Sequence, residues 1–299
     1  MTAKIKLFLG TCFRRSLTRI SPRLNTWVVY YIKFKKCINL KNPQTLDEKI
    51  QYLKFHDYYK NPLVSQCADK YAVRNYVKEC GCEDILNELV ATYNKVEDIE
   101  WDKLPNQFVI KWNFGCGQNL ICFDKSKLDI KEAKRKLKSW YRTKDSFYLG
   151  YSEMQYKGIP PKLICEKLIE TEGGKLPIDY KFYCFDGKVD CVLVCCGRDD
   201  CGHGAKYYFF DKNWNLKRYN KAGKDAPQNF TLPKPKNMDK LFDYAEKLSK
   251  PFPFVRADFY LENGKVTFGE LTFTPCGGFD VNRLPETQLY FGNLVHPKK

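Results

Sequence analysis

Histidine is scarce in this 299-residue chain, at His56, His203 and His296 only. No Ser-His-Asp arrangement is visible, so hydrolysis through an activated serine has little support. The Gly-x-x-x-x-Gly-Lys-Ser/Thr phosphate loop is missing, and so is the third glycine of a dinucleotide fingerprint. The fourteen cysteines include no Cys-x-x-Cys pair. Zinc sites need about four ligands, usually from such pairs. Cys80-x-Cys82 does not qualify, and neither does the cluster Cys191, Cys195, Cys196, Cys201 and His203. No stretch reaches the ~20 apolar residues of a spanning helix. The apolar run at 7–10 is too short for a cleavable signal peptide and is soon followed by Arg14 and Arg15. Cys184, Cys191 and Cys195 lie among Phe, Val and Leu, as free thiols acting as small buried hydrophobes would. A reducing, cytoplasmic setting is therefore expected. There is no internal repeat.

No carboxylate precedes Asp47, whereas residues 1–46 carry ten Lys/Arg out of a net charge of +16. The basicity is thus partly that of an arm, and an anionic partner is one reading of it: membrane headgroups, an acidic glycan or a nucleic acid. Many solvated lysines is the other. Within the arm, Ile5, Phe8, Leu9, Cys12, Phe13, Leu17 and Ile20 recur at helical spacing. Two readings stand: an amphipathic membrane-surface helix, or a helix packed on the domain. Hydrophobic content of 43% with 15% aromatics supports a globular core of two or three subdomains.

Further along, Thr45 and Glu48 form a capping box that starts a helix burying Leu46, Ile50 and Leu53. A second helix is predicted from about Leu63 to Glu79. Residues 108–112 read as a strand, 113–119 as a glycine turn and 120–123 as the returning strand. A basic helix over 127–141 and a strand over 163–169 follow. Asp186-Gly187 signals a hairpin of 180–185 with 189–196. Another hairpin is expected over 207–210 and 216–219, then a loop over 222–237, a helix over 237–248, and a last hairpin of 254–261 with 266–272. Helices first and antiparallel hairpins after suggest an α+β protein.

Two stretches carry chemistry. Lys111 at a strand end, followed by Gly115 and Gly117, can set an ammonium and open backbone amides against phosphate oxygens. A tight hairpin with an incidental lysine is the plainer alternative. In the last hairpin, Arg256 shares a strand face with Asp258, and Glu270 with Thr272. Two carboxylates meeting across a hairpin make a hard oxygen site for Mg²⁺. A solvated face with Asp258 paired to a lysine is the competing reading.

Taken in order, these pieces resemble the ATP-grasp superfamily, and within it the branch named for teichuronopeptide biosynthesis, associated with bacterial surface polysaccharides. The resemblance covers roughly residues 40–280. It rests on Asn42-Pro43-Gln44-Thr45-Leu46-Asp47-Glu48-Lys49, Asp69-Lys70-Tyr71-Ala72-Val73-Arg74, Leu104-Pro105 leading into Phe108-Val109-Ile110-Lys111, Glu166-Lys167-Leu168-Ile169, Asp179-Tyr180-Lys181-Phe182, Arg256-Ala257-Asp258 and Gly269-Glu270-Leu271-Thr272. It implies an α+β ATP-grasp fold, with two subdomains gripping ATP behind a helical N-terminal region. The expected division is a basic arm at 1–41, a helical subdomain at 42–107, a glycine-loop subdomain at 108–165 and a C-terminal subdomain with the metal hairpin at 166–299.

The resemblance also implies roles. Lys70 and Lys111 would contact ATP phosphates under a loop closed by Gly115 and Gly117. Glu166, Lys167, Leu168 and Ile169 would form the adenine strand, Glu166 taking the exocyclic amine. Asp179 or Lys181 would face ribose or phosphate. Arg256, with Lys181, would serve the transferred phosphoryl group, and Asp258, Glu270 and Thr272 would hold Mg²⁺. Thr272 stands where many relatives have Asn, and Phe114-Gly115-Cys116-Gly117 replaces a common His-Gly-Ser-Gly. The implied reaction activates a carboxylate as an acyl phosphate, which an amine attacks. A uronic acid in a glycan and an amino acid are the expected partners, with ATP and Mg²⁺ as cofactors. A glycan kinase or transferase, a degenerate nucleotide-binding scaffold, and an anion- or nucleic-acid-binding module are the rivals. The last lacks any helix-turn-helix, zinc-finger or aromatic-sheet pattern. Lys111→Ala should then weaken ATP binding, while Asp258→Asn and Glu270→Gln should stop turnover with smaller effects on folding.

Overall fold

The computed structural model describes residues 3–171, 176–197 and 204–297, with side chains from residue 10 onward. Along the chain run α1 (Ala3–Ile20), α2 (Pro22–Phe34), α3 (Leu46–Leu53), α4 (Pro62–Ala68), α5 (Val73–Glu79) and β1 (Leu89–Tyr93). Then come β2 (Phe108–Trp112), β3 (Asn119–Cys122), α6 (Ile130–Arg142), α7 (Lys144–Leu149), β4 (Leu163–Lys167), β5 (Asp179–Phe185) and β6 (Lys188–Cys196). The chain finishes with β7 (Lys206–Phe210), β8 (Leu216–Lys217), α8 (Lys221–Asp225), α9 (Met238–Ser249), β9 (Phe254–Glu262), β10 (Lys265–Thr272) and α10 (Pro285–Leu294). Two units emerge, each from three stretches: Met1–Ile38, Lys54–Arg74 and Asn87–Leu168, and Asn39–Leu53, Asn75–Leu86 and Ile169–Lys299. The sequence reading had cut the chain into consecutive blocks instead. Non-adjacent stretches join because α3 packs on α10 within the second unit, and the helical turn at Lys54–Tyr58 packs on the turn at Met154–Tyr156 within the first.

In the first unit an antiparallel sheet runs β1-β4-β2-β3. Alternation along β2 buries Phe108, Ile110 and Trp112 against Ala133 and Leu137 of α6. Trp112 adds a hydrogen bond from its indole to the Leu137 carbonyl at 2.9 Å. The same two-residue period turns Val109 and Lys111 to the opposite face.

In the second unit an antiparallel sheet runs β10-β9-β5-β6-β7-β8. One face packs on α9, where Phe182 meets Phe242 edge-on at 5.0 Å. The other face is divided. Its aromatic end, Tyr183, Phe185 and Phe254, is covered by Phe291 of α10. Helix α10 approaches so closely that a Cβ on Gly292 would overlap the Gln44 carbonyl. The charged end of that face holds the residues discussed below.

The capping box forms as expected: Thr45 Oγ1 accepts from the Glu48 N–H at 3.2 Å, and Glu48 accepts from the Thr45 N–H at 3.1 Å. Glu48 also accepts from the N–H groups of Asn39 and Gln44, fixing the approach to α3. Asp186 and Gly187 both have positive φ, as a tight hairpin turn requires. Three expectations are corrected. The helix drawn from Leu63 to Glu79 is broken into α4 and α5, because Asp69 accepts from the N–H groups of Tyr71 and Ala72 and restarts the turn. The strand drawn over 163–169 ends at Lys167. The loop drawn from 222 begins inside α8, which Asn220 caps. Thirteen described cysteines are unbridged; Cys67, Cys82, Cys122, Cys165, Cys184, Cys191 and Cys195 are buried, and Cys37, Cys116 and Cys276 are exposed. Cys201 and His203 lie outside the described residues. No described helix is long and apolar enough to cross a membrane.

Candidate nucleotide and metal site

The phosphate-grip candidates of the first unit occupy a single neighbourhood. Lys111 on β2 reaches Glu166 on β4 with a 2.8 Å ion pair. Strand register explains it: Val109 pairs with Glu166 and Lys111 with Ile164, so both charged side chains share one face. Arg74 adds a second cation to the same carboxylate at 3.4 Å. Lys70 donates its backbone N–H to the Asn113 carbonyl at 3.0 Å and its ammonium to the Gly115 carbonyl at 2.6 Å. Gly115 and Gly117 have φ of +90° and +69°, conformations that side chains with a Cβ rarely adopt. The turn between β2 and β3 is therefore glycine-dependent and fastened by Lys70.

The adenine-strand candidates divide. Glu166 is buried and paired with two cations, Lys111 and Arg74. Lys167 is exposed at the strand end, donates its N–H to the Glu88 carbonyl and accepts from the Asn87 amide. Leu168 and Ile169 follow the strand and are half-buried; the unit boundary falls between them.

In the second unit the sheet register assembles a charged row. Lys181 pairs with Asp258 across β5 and β9, and Asp258 with Glu270 across β9 and β10. One residue farther along the ladder of this face, Arg256 pairs with Thr272. Glu270 reaches this face through a β-bulge: Phe268 pairs with Phe259 but Glu270 with Asp258, leaving Gly269 as the extra residue. Without the bulge, Glu270 would stand opposite Ala257 and point to the α9 side. Gly269 is suited to the place, since a Cβ there would lie 2.9 Å from the Asp258 carbonyl oxygen.

Asp258 is the hub. Arg256 grips it with two bonds, Nε to Oδ1 and Nη2 to Oδ2, both 2.7 Å. Lys181 Nζ reaches Oδ2 at 2.7 Å and Asp179 at 3.6 Å. Thr272 Oγ1 accepts from Arg256 at 3.1 Å and donates to Glu270 at 3.0 Å. Burial is the largest single influence on Lys181 and opposes its charge, but Asp258, Asp179 and Glu270 together outweigh it and raise the ammonium above the ordinary lysine value. Arg256 is raised in the same way. The pairing of Asp258 with a lysine, one of the alternatives open from sequence, is thus present, and an arginine joins it.

The donor set suits magnesium of one kind. Asp258, Glu270 and Thr272 offer hard oxygens on one face, yet no described group of three or more His, Cys, Asp or Glu could hold a metal alone. Magnesium commonly takes one or two carboxylates and completes its shell with phosphate oxygens and water. Thr272 contributes less, because its proton is directed at Glu270. A second buried network was not foreseen: Arg283 pairs with Asp47 at 3.1 Å and Asp280 at 3.0 Å, and Gln288 donates to Asp47 at 2.8 Å. Burial pushes Asp47 up to about 6, against the pull of Arg283. Its position in the Leu-Asp-Glu run before an apolar helix face was the sole hint.

Comparison with known proteins bears on the whole arrangement. No curated protein matches the chain. The D-alanine–D-alanine ligase of Bacillus anthracis complexed with ATP is similar at 15% identity and a TM-score of 0.46, covering 77% of this chain and 62% of its own. The D-alanine–D-alanine ligase of Helicobacter pylori gives 13% and 0.43, covering 84% and 69%. The ATP-grasp ligase PsnB with Mg and ADP gives 13% and 0.40, covering 72% and 53%. The chain spans about three fifths of the length of the first of these. A family model described as TupA-like ATPgrasp matches residues 48–296, a stretch that runs from the capping box through Lys111, the Gly269 bulge and α10. The protein that carries the fastened glycine turn and the charged row belongs to the TupA-like ATP-grasp family.

Proposed function

We propose that the protein is an ATP- and Mg²⁺-dependent ligase that activates a carboxylate and joins it to an amine, in the making or modification of a surface polysaccharide. The observation that carries this reading is the in-register row Lys181–Asp258–Glu270 with Arg256 beside it. Phosphoryl transfer needs little side-chain chemistry beyond positioning and charge neutralisation. Two cations held in place by a buried carboxylate provide both. Lys181 and Arg256 receive the negative charge of the transferred phosphoryl group, and Asp179 orients the ammonium of Lys181 from its other side. Asp258 and Glu270 would hold Mg²⁺, which would supply charge neutralisation to phosphate oxygens. Lys70, Lys111 and the turn at Gly115 and Gly117 hold the triphosphate, while Glu166, Lys167, Leu168 and Ile169 border the adenine. The acceptor is a uronic acid or another glycan carboxylate, the donor an amino acid amine, and the setting the cytoplasmic side of a membrane that the basic arm contacts peripherally.

The test is an ADP- and phosphate-release assay on the full chain with Mg·ATP, uronic acids and amino acids, with product mass measured. Phosphate release that requires both carboxylate and amine, with an amide product, supports the ligase. A phosphorylated sugar formed without amine identifies a kinase on the same site. No measurable Mg·ATP affinity by calorimetry sinks both.

A further inference from the structure

Helix α2 is amphipathic in the reverse sense to a helix that packs its apolar side on a core. Its inward side carries Asn25 and Thr26, both wholly buried, beside Val29 and Tyr30. Asn25 donates to Ser152 Oγ at 2.9 Å, and Ser152 also contacts the buried Thr18 of α1 at 2.9 Å. The Asn25 amide thereby ties the helix to its own unit. The outward arc is apolar throughout: Leu24 is 43% exposed, Trp27 45%, Tyr31 49% and Ile32 54%, with Ile20 at 77% beside the junction. Positions 24, 27 and 31 follow the helical period, and the Trp27 and Tyr31 rings stack at 6.0 Å with 6° between planes. A contiguous patch of this kind marks a docking surface.

Charge selects the occupant. Arg19, Arg23, Lys35 and Lys36 are exposed around the arc, and no carboxylate occurs anywhere in residues 1–46. A stripe of Trp, Tyr, Leu and Ile in a segment whose charged residues are all cations matches an anionic lipid surface, where aromatics settle at headgroup depth and Lys/Arg meet phosphate. We infer that the outward arc of α2, centred on Trp27 and Tyr31, inserts into the headgroup region of an anionic bilayer. This deepens the peripheral-membrane element of the proposed function by assigning the contact to α2 within the basic arm. It does not depend on the ligase chemistry.

The experiment is cosedimentation of the full chain with vesicles of equal parts phosphatidylglycerol and phosphatidylcholine, beside vesicles of phosphatidylcholine alone. Binding to the anionic vesicles should exceed binding to the neutral ones by about tenfold or more and should weaken in about 0.5 M salt. Trp27→Ala with Tyr31→Ala should lower the partition about tenfold or more. Both side chains are exposed, so the melting temperature should be unchanged, and ADP release on soluble substrates should persist. No binding to anionic vesicles, or equal binding by the double variant, overturns the inference. So does a dimer in light scattering that the double variant abolishes, since the arc then serves a second copy of the chain. Loss of ligase activity with vesicle binding intact would strike the proposed function alone.

Discussion

Glu270 faces Asp258 across the ladder of β9 and β10 because Gly269 is an extra residue in the ladder. One inserted glycine decides which side of the sheet receives the second carboxylate. Gly269→Ala should therefore act on catalysis and stability together, since its methyl group meets the Asp258 carbonyl. A cost of about 1–3 kcal/mol in chemical denaturation is expected. Glu270→Gln keeps the bulge and should lower turnover at least about a hundredfold in the ADP-release assay. Its side chain is more than a third exposed, so its stability should stay within about 0.5 kcal/mol of the parent.

Asp258→Asn should cost more stability than Glu270→Gln. The carboxylate is buried between Arg256 and Lys181. Removing its charge strands two buried cations, and breaking such a pair costs about 3–5 kcal/mol. Urea titration of the two variants side by side checks the difference.

Lys111→Ala should weaken Mg·ATP binding by about tenfold to a hundredfold, the scale of one charge-assisted contact. Arg74 remains on Glu166, so the carboxylate is not left alone and the melting curve should move little. Isothermal titration calorimetry reads the first effect and scanning calorimetry the second.

Asp47 predicts a pH dependence of stability. Its folded value of about 6 lies above its ordinary 3.8, burial being the main cause. The folded chain then holds a proton that the unfolded chain releases between pH of about 4 and 6. The stability this group contributes is present at lower pH and lost as pH rises through about 6, a change of about 3 kcal/mol. Asp47→Asn should remove that part of the slope when denaturation midpoints are compared from acid to neutral pH.

Asp69→Ala should cost about 1 kcal/mol, the worth of a helix cap. It should also loosen the glycine turn, because the break at Asp69 lets the Lys70 backbone meet Asn113 and its ammonium meet Gly115. Faster amide exchange over 113–119, measured by mass spectrometry, is the expected readout.

Local signals were legible in the sequence. The Thr45/Glu48 box, the Asp186-Gly187 turn and the alternation in β2 each depend on neighbours a few residues apart. So did the family, which rests on motifs in order. The register of the last hairpin was partly legible: the turn placed Asp258 and Glu270 on facing strands, but a bulge has no distinctive spelling, and Gly269 gave no warning. The split at Asp69 was hidden because apolar spacing continues on both sides and a carboxylate within a helix leaves no periodic trace. Arg256 beside Asp258 was legible from the two-residue period of one strand, but Lys181 comes from a strand 77 residues away, a distance at which patterning is silent. The outward apolar arc of α2 was missed for a related reason. Periodicity shows which residues share a face, not whether that face turns inward.

The unbridged thiols have a use of their own. Cys122 and Cys165 lie buried in the first unit, and Cys184 and Cys191 in the second, while Cys37, Cys116 and Cys276 are open to solvent. An alkylating reagent added to the folded protein should mark the open set at once and the rest only as each interior is transiently unwrapped. Peptide mapping over time would thus clock the two units separately, with no label introduced.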